Sequence, residues 1–133
     1  MVIIGLYGST PPRRHRVANQ VAEADIARLV AYHMDTPCKP RSRADRMAHV
    51  MTDVAGTRLD GIVFADVQSY EEADAIRQRG GVLWFVEGSP SSDIAIQRGD
   101  IAVTDKEGGH RHYLDPLEAL SETLCRNARG FHG

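Results

Sequence analysis

The residues whose types and spacing could do chemistry stand between an apolar run and a helical pattern. Val2 to Tyr7 is apolar almost throughout, and Gly8-Ser9-Thr10-Pro11-Pro12-Arg13-Arg14-His15 follows it. A strand, then a Gly/Ser/Thr turn, then a helix start is the order of a phosphate-binding loop. In such a loop a helix N-terminus and successive backbone N–H groups hold an anion. Its working pattern is G-x-x-x-x-G-K-[ST]. Counted from Gly8, Arg13 stands at the second glycine, Arg14 at the lysine and His15 at the hydroxyl residue. Arg14 keeps positive charge, as a planar fork rather than a compact ammonium. His15 is a poor substitute on magnesium, which prefers oxygen ligands. Arg13 carries a side chain where a bare glycine backbone lets phosphate approach. The loop therefore predicts an anion site at Gly8, Ser9, Thr10, Arg13, Arg14 and His15. The competing reading is a structural turn beside a solvated basic helix start.

Other candidates are weaker. Asp66 ends the apolar run Gly61 to Val67, where a carboxylate could coordinate magnesium or bond to nearby backbone; the second reading is favoured. Arg14 and Asp66 are the two candidates for a catalytic role. Ser69-Tyr-Glu-Glu72 reads as a capping box, with Glu72 a cap rather than a catalyst. His110-Arg-His112 offers a ligand pair without a third partner at definable spacing, and Cys38 and Cys125 make no metal spacing, so no metal site is predicted. Lys39, Arg41, Arg43 and Arg46 lack interleaved aromatics and read as a solvated helix face rather than a phosphate or nucleic-acid surface. Trp84 sits in an apolar run and reads as core.

The elements that must position these groups follow from periodicity. Apolar runs predict strands at 2–7, 28–33, 61–67, 82–86 and 100–103. Helices are predicted from about Arg14 to Ala24, from Pro40 or Ser42 to about Val54, from Ser69 to Gly80, and from Asp115 onward, with fraying from Asn127. Asp35-Thr36-Pro37 closes the second strand. The order βαβαβαββα with short links argues for an α/β domain: three layers, with a mostly parallel five-stranded sheet between helices. Ligands in such sheets bind beyond the carboxyl ends of the strands, where the loop after the first strand and Asp66 meet.

The 133 residues make one domain, 1–133, with 42% hydrophobic and 26% charged residues, which excludes disorder as the default state. No apolar run approaches the roughly 20 residues of a spanning helix, and no basic segment precedes the first one as in a signal peptide. A net charge of −2 argues against nucleic acid as a partner. Two cysteines far apart in sequence suit a reducing cytoplasm.

Ile3-Ile-Gly-Leu-x-Gly8, Phe64-Ala-Asp66-Val67, Glu72-Ala-Asp-Ala-Ile76 and Gly80-Gly81-Val-Leu-Trp-Phe-Val86 resemble the phage deoxynucleoside monophosphate kinases. These are P-loop kinases similar in fold to adenylate kinase and dephospho-CoA kinase. The resemblance covers nearly the whole chain and is most specific over 61–86. It implies a P-loop NTPase-like fold and a phage or prophage origin, and it implies ATP and magnesium as cofactors if the chain is active. The departures lie at the chemical positions: Arg13, Arg14 and His15 in the loop, Gln68 where D-V-R is expected, Phe85 and Gly88 where arginines are usual, and Thr104 for an asparagine. The segment between second and third strands, where such kinases build much of the monophosphate site, is short. Phosphoryl transfer rests on positioning and charge neutralisation. The expectation is thus a degenerate nucleotide-kinase-like protein without kinase activity that binds a nucleotide or phosphate-containing ligand. Two alternatives stand beside it. One is an active kinase with Arg14 in the lysine's place. The other is a structural module that takes a protein partner or a second copy and no small ligand.

Overall fold

A computed structural model describes residues 1–34 and 39–128 of the chain. The expected turn at Asp35 to Pro37, Cys38 and the residues from 129 onward lie outside the described residues.

Strand β1 (Val2–Tyr7) leads into helix α1 (Pro11–Glu23), β2 (Leu29–Tyr32), α2 (Pro40–Ala55), β3 (Gly61–Phe64), α3 (Tyr70–Gln78), β4 (Val82–Val86), β5 (Ile101–Val103) and α4 (Pro116–Ala128). The five strands form one sheet in the order β2-β3-β1-β4-β5, and every pair is parallel. The sheet is parallel throughout, where the sequence suggested mostly parallel.

The pleat sends alternate residues to opposite faces. Val2, Ile4, Leu6, Val63, Trp84 and Val86 join one core cluster with Val17, Ala18 and Val21 of α1 and Ala119 and Leu120 of α4. Ile3, Tyr7, Ile62, Phe64, Leu83 and Phe85 join the other with Met47 and Met51 of α2 and Ile76 of α3. Helices therefore cover both faces, which explains why the central strands are continuous apolar runs. Trp84 is fully buried, with its Nε1–H donating to Thr123 Oγ1 at 3.1 Å. Among the described residues no helix is long and apolar enough to cross a membrane.

The crossovers fix where a crevice can open. From β1 the chain moves two places along the sheet over the α1 face; from β3 it moves two places the other way over the α3 face. The links after these neighbouring strands diverge, making a topological switch point between the C-terminal ends of β1 and β3.

One boundary differs in a way that matters. Helix α1 starts at Pro11, not near Arg14. Prolines at the first helical turn lack an N–H that would have no partner there, and their fixed φ suits the helix. Pro11 and Pro12 thus begin the helix, so Arg13, Arg14 and His15 are helical residues rather than loop residues.

Candidate functional site

The turn after β1 is compressed to Gly8, Ser9 and Thr10. Gly8 has φ 77° and Ser9 φ 58°. A Cβ on Gly8 would lie 2.7 Å from the Phe85 ring, so glycine is required by space as well as by φ. The Ser9 N–H donates to the Ser89 carbonyl at 2.8 Å. Its Oγ is buried with no hydrogen-bond partner among the described residues. Pro11 and Pro12 have no N–H. Three of the five positions from Gly8 to Pro12 therefore offer no free N–H to an anion.

Arg14 points inward. Its spacing to Val17, Ala18 and Val21 puts it on the buried stripe of α1. Its Nη1 donates to the Gly8 carbonyl at 3.0 Å, Nε to the Ala65 carbonyl at 3.0 Å, and Nη2 to Asp66 Oδ1 at 3.1 Å. The guanidinium thus closes the switch point with bonds to the ends of both strands. Asp66 Oδ1 also accepts from His15 Nε2 at 2.8 Å, and Oδ2 accepts from the Met34 N–H at 3.2 Å. Burial pushes the Asp66 pKa up, but the hydrogen bonds from His15 and Arg14 outweigh it and the net shift is downward. Asp66 is a buried carboxylate just past a strand end, with backbone and side-chain donors.

His15 also meets His33, the residue after β2, edge to face with ring centroids 4.5 Å apart. The ligand atoms of His15, His33 and Asp66 lie within 4.8 Å of one another. No metal site was predicted from spacing, because these three groups come from three separate elements. His110 and His112 do not add to that group: His110 Nδ1 bonds Glu87 Oε2 at 2.6 Å and the His112 ring packs on Tyr113.

Arg13 faces acids rather than an open anion site. It donates to Asp105 Oδ1 at 2.7 Å and Glu87 Oε1 at 3.1 Å, and Arg16 pairs with Asp105 Oδ2 at 3.0 Å. Glu87 further accepts from Thr104 Oγ1 at 2.9 Å. The His110 hydrogen bond leads the causes that bring the Glu87 pKa down from 4.5 to about 2, with Thr104 and Arg13 adding to it against partial burial. A depressed carboxylate pKa contributes stability above its unfolded value that is lost as pH falls toward its folded value. Glu87→Gln is therefore expected to be less stable than the parent at pH 6, with the difference shrinking below about pH 4.5 and closing near pH 2. Urea midpoints at pH 6, 4 and 3 test this; a difference that does not shrink with falling pH contradicts it.

The positions where the resemblance implied arginines are filled by packing. Phe85 lies on Gly8 and Tyr7. Gly88 has φ 145°, and a Cβ there would lie 2.6 Å from Ser9 Oγ.

The basic run holds the largest correction. Lys39, Arg41 and Arg46 are exposed, but Arg43 is 3% exposed and not on a solvated face. Its Nε donates to Glu72 Oε1 at 2.7 Å, Nη1 to the Met34 carbonyl at 2.8 Å and Nη2 to the Asp66 carbonyl at 2.8 Å. Glu72 is fully buried; its Oε2 accepts from Ser69 Oγ at 2.6 Å and the Gln68 N–H at 3.1 Å, while Ser69 Oγ accepts the Glu72 N–H. The cap is present, and the same carboxylate anchors Arg43 behind the switch point. The available signal was spacing: Arg43, Met47, Met51 and Val54 share one helical stripe. His33 carried none, since the apolar run placed it inside the second strand, which ends at Tyr32.

No protein-family model matches the chain, and no curated protein or solved structure is significantly similar to it.

Proposed function

We propose that this chain is a P-loop-kinase-like domain that does not transfer phosphoryl groups and acts as a binding or interaction module. One observation carries the reading: the Arg14 guanidinium is engaged by Gly8, Ala65 and Asp66 inside the switch point, where a kinase would need cationic charge facing phosphate. The shortened turn supports it, because prolines and the Ser9–Ser89 bond leave few N–H groups for an anion. The strand–turn–helix order and the carboxylate on the neighbouring strand support common descent with such kinases.

Magnesium does not fit these residues. An imidazole stands where the hydroxyl ligand is needed, and magnesium prefers oxygen ligands. The alternative in which Arg14 replaces the loop lysine would need its guanidinium to leave three buried acceptors.

The test is phosphoryl transfer from ATP, with magnesium, to a panel of deoxynucleoside monophosphates. No product above background is expected, and ATP or inorganic phosphate is expected to leave the melting temperature unchanged. Sustained turnover overturns the reading.

A further inference from the structure

We propose that His15, His33 and Asp66 bind one divalent first-row transition-metal ion of the Zn2+ type at the switch point. This builds on the preceding reading, since it gives the crevice a cationic ligand in place of a phosphate.

The three groups come from the C-terminal ends of three adjacent strands. His33 follows β2, Asp66 follows β3, and His15 lies in the first turns of α1 after β1. The strand order places β3 between the other two, and the three groups meet at one end of the sheet, the two imidazoles edge to face. Two imidazoles and a carboxylate make a donor set for zinc, iron, cobalt or nickel, and a poor one for magnesium or calcium.

Metal bonds of about 2.0–2.2 Å require ligand atoms roughly 3–3.5 Å apart. The separation of His15 Nε2 and Asp66 Oδ1 is 2.8 Å, and all three groups lie within 4.8 Å. Binding replaces the His15–Asp66 hydrogen bond, moving those two atoms slightly apart, and draws in His33, which is exposed and packs edge to face on His15. Asp66 is buried and His15 partly buried, so the site has a fixed floor and an open side.

The surrounding bonds are those a metal ligand needs for orientation. The Met34 N–H holds Asp66 Oδ2, and Arg14 Nη2 holds Oδ1. Such outer contacts fix a carboxylate for its metal. Three protein ligands leave at least one position for water or a small ligand.

The full chain, stripped with chelator and dialysed, is titrated with ZnCl2 by calorimetry and with CoCl2 by visible absorption. One equivalent of Zn2+ is expected to bind, and Co2+ is expected to give ligand-field bands. His33→Ala removes an exposed ring, so its fold, checked by circular dichroism, is retained. It is expected to weaken Zn2+ binding about tenfold or more and to abolish the cobalt bands. A His110→Ala/His112→Ala variant is expected to bind as the parent does. Absence of binding in the parent, or a smaller loss in His33→Ala, overturns the proposal. Those outcomes leave the non-kinase reading standing, whereas magnesium-dependent turnover removes that reading without deciding the zinc titration.

Discussion

Arg43→Met is expected to lower the unfolding free energy by about 3–5 kcal/mol, the cost of leaving a buried charge without its partner. Glu72 would keep only the Ser69 hydroxyl and the Gln68 N–H, in a site with no exposure to water. The Met34 and Asp66 carbonyls would lose their donor as well. The pair joins α2 to α3 and to the ends of β2 and β3, so the loss should appear in global unfolding and not as local fraying. Glu72→Gln should be destabilising through the same pair. The double variant Arg43→Met/Glu72→Gln should lose less than the sum of the single losses, by about 0.5–3 kcal/mol, because the second change removes a charge already orphaned. Urea denaturation at pH 7 measures all of them. A single-variant loss below about 1 kcal/mol, within the usual range of exposed pairs, would show that the pair is solvated in solution.

Arg14→Met is expected to cost about 2–4 kcal/mol, since a charged hydrogen bond contributes ~1.5–3 kcal/mol and each stranded buried acceptor costs ~1–3 kcal/mol. Its acceptors are the Gly8 and Ala65 carbonyls and Asp66. Arg14→Lys separates the two roles the residue could play. A phosphate-binding Arg14 would tolerate lysine, the residue of the working loop. A closing Arg14 would not, because one ammonium on a flexible stem cannot copy a rigid fork that meets three acceptors. Arg14→Lys should therefore melt below the parent by roughly 4–10 °C, taking ~1–3 kcal/mol at a few degrees per kcal/mol for a chain of this size. An unchanged melting temperature together with nucleotide-dependent stabilisation would favour the kinase alternative.

The prolines show how a local signal can be read in the wrong direction. The sequence pattern counts Pro11 and Pro12 in the loop, with the helix starting near Arg14. In the structure they occupy the first helical turn. That shift of one turn converts Arg13, Arg14 and His15 from loop residues into helix residues with directions fixed by 3.6-residue periodicity. Arg14 then falls on the face with Val17 and Val21, and Arg13 and Arg16 turn toward Asp105. Arg43 is the same lesson in α2, where a charged residue keeps step with Met47 and Met51.

The amino-acid sequence by itself determined the order of the elements, the parallel character of the sheet and the identity of the core strands. Those depend on short-range patterning: apolar runs, turn residues and caps within a few positions. It also located the switch-point residues Gly8 to His15 and Asp66. Only the tertiary structure decided what these residues do to one another. Whether an arginine faces a phosphate or the carbonyls of two neighbouring strands depends on contacts 51 and 52 positions away in sequence. The same holds for His33, which meets His15 and Asp66 because β2, β3 and β1 lie side by side. No local period encodes that juxtaposition. It arises when the crossovers place β3 between strands β2 and β1, bringing two imidazoles and a carboxylate to one end of the sheet.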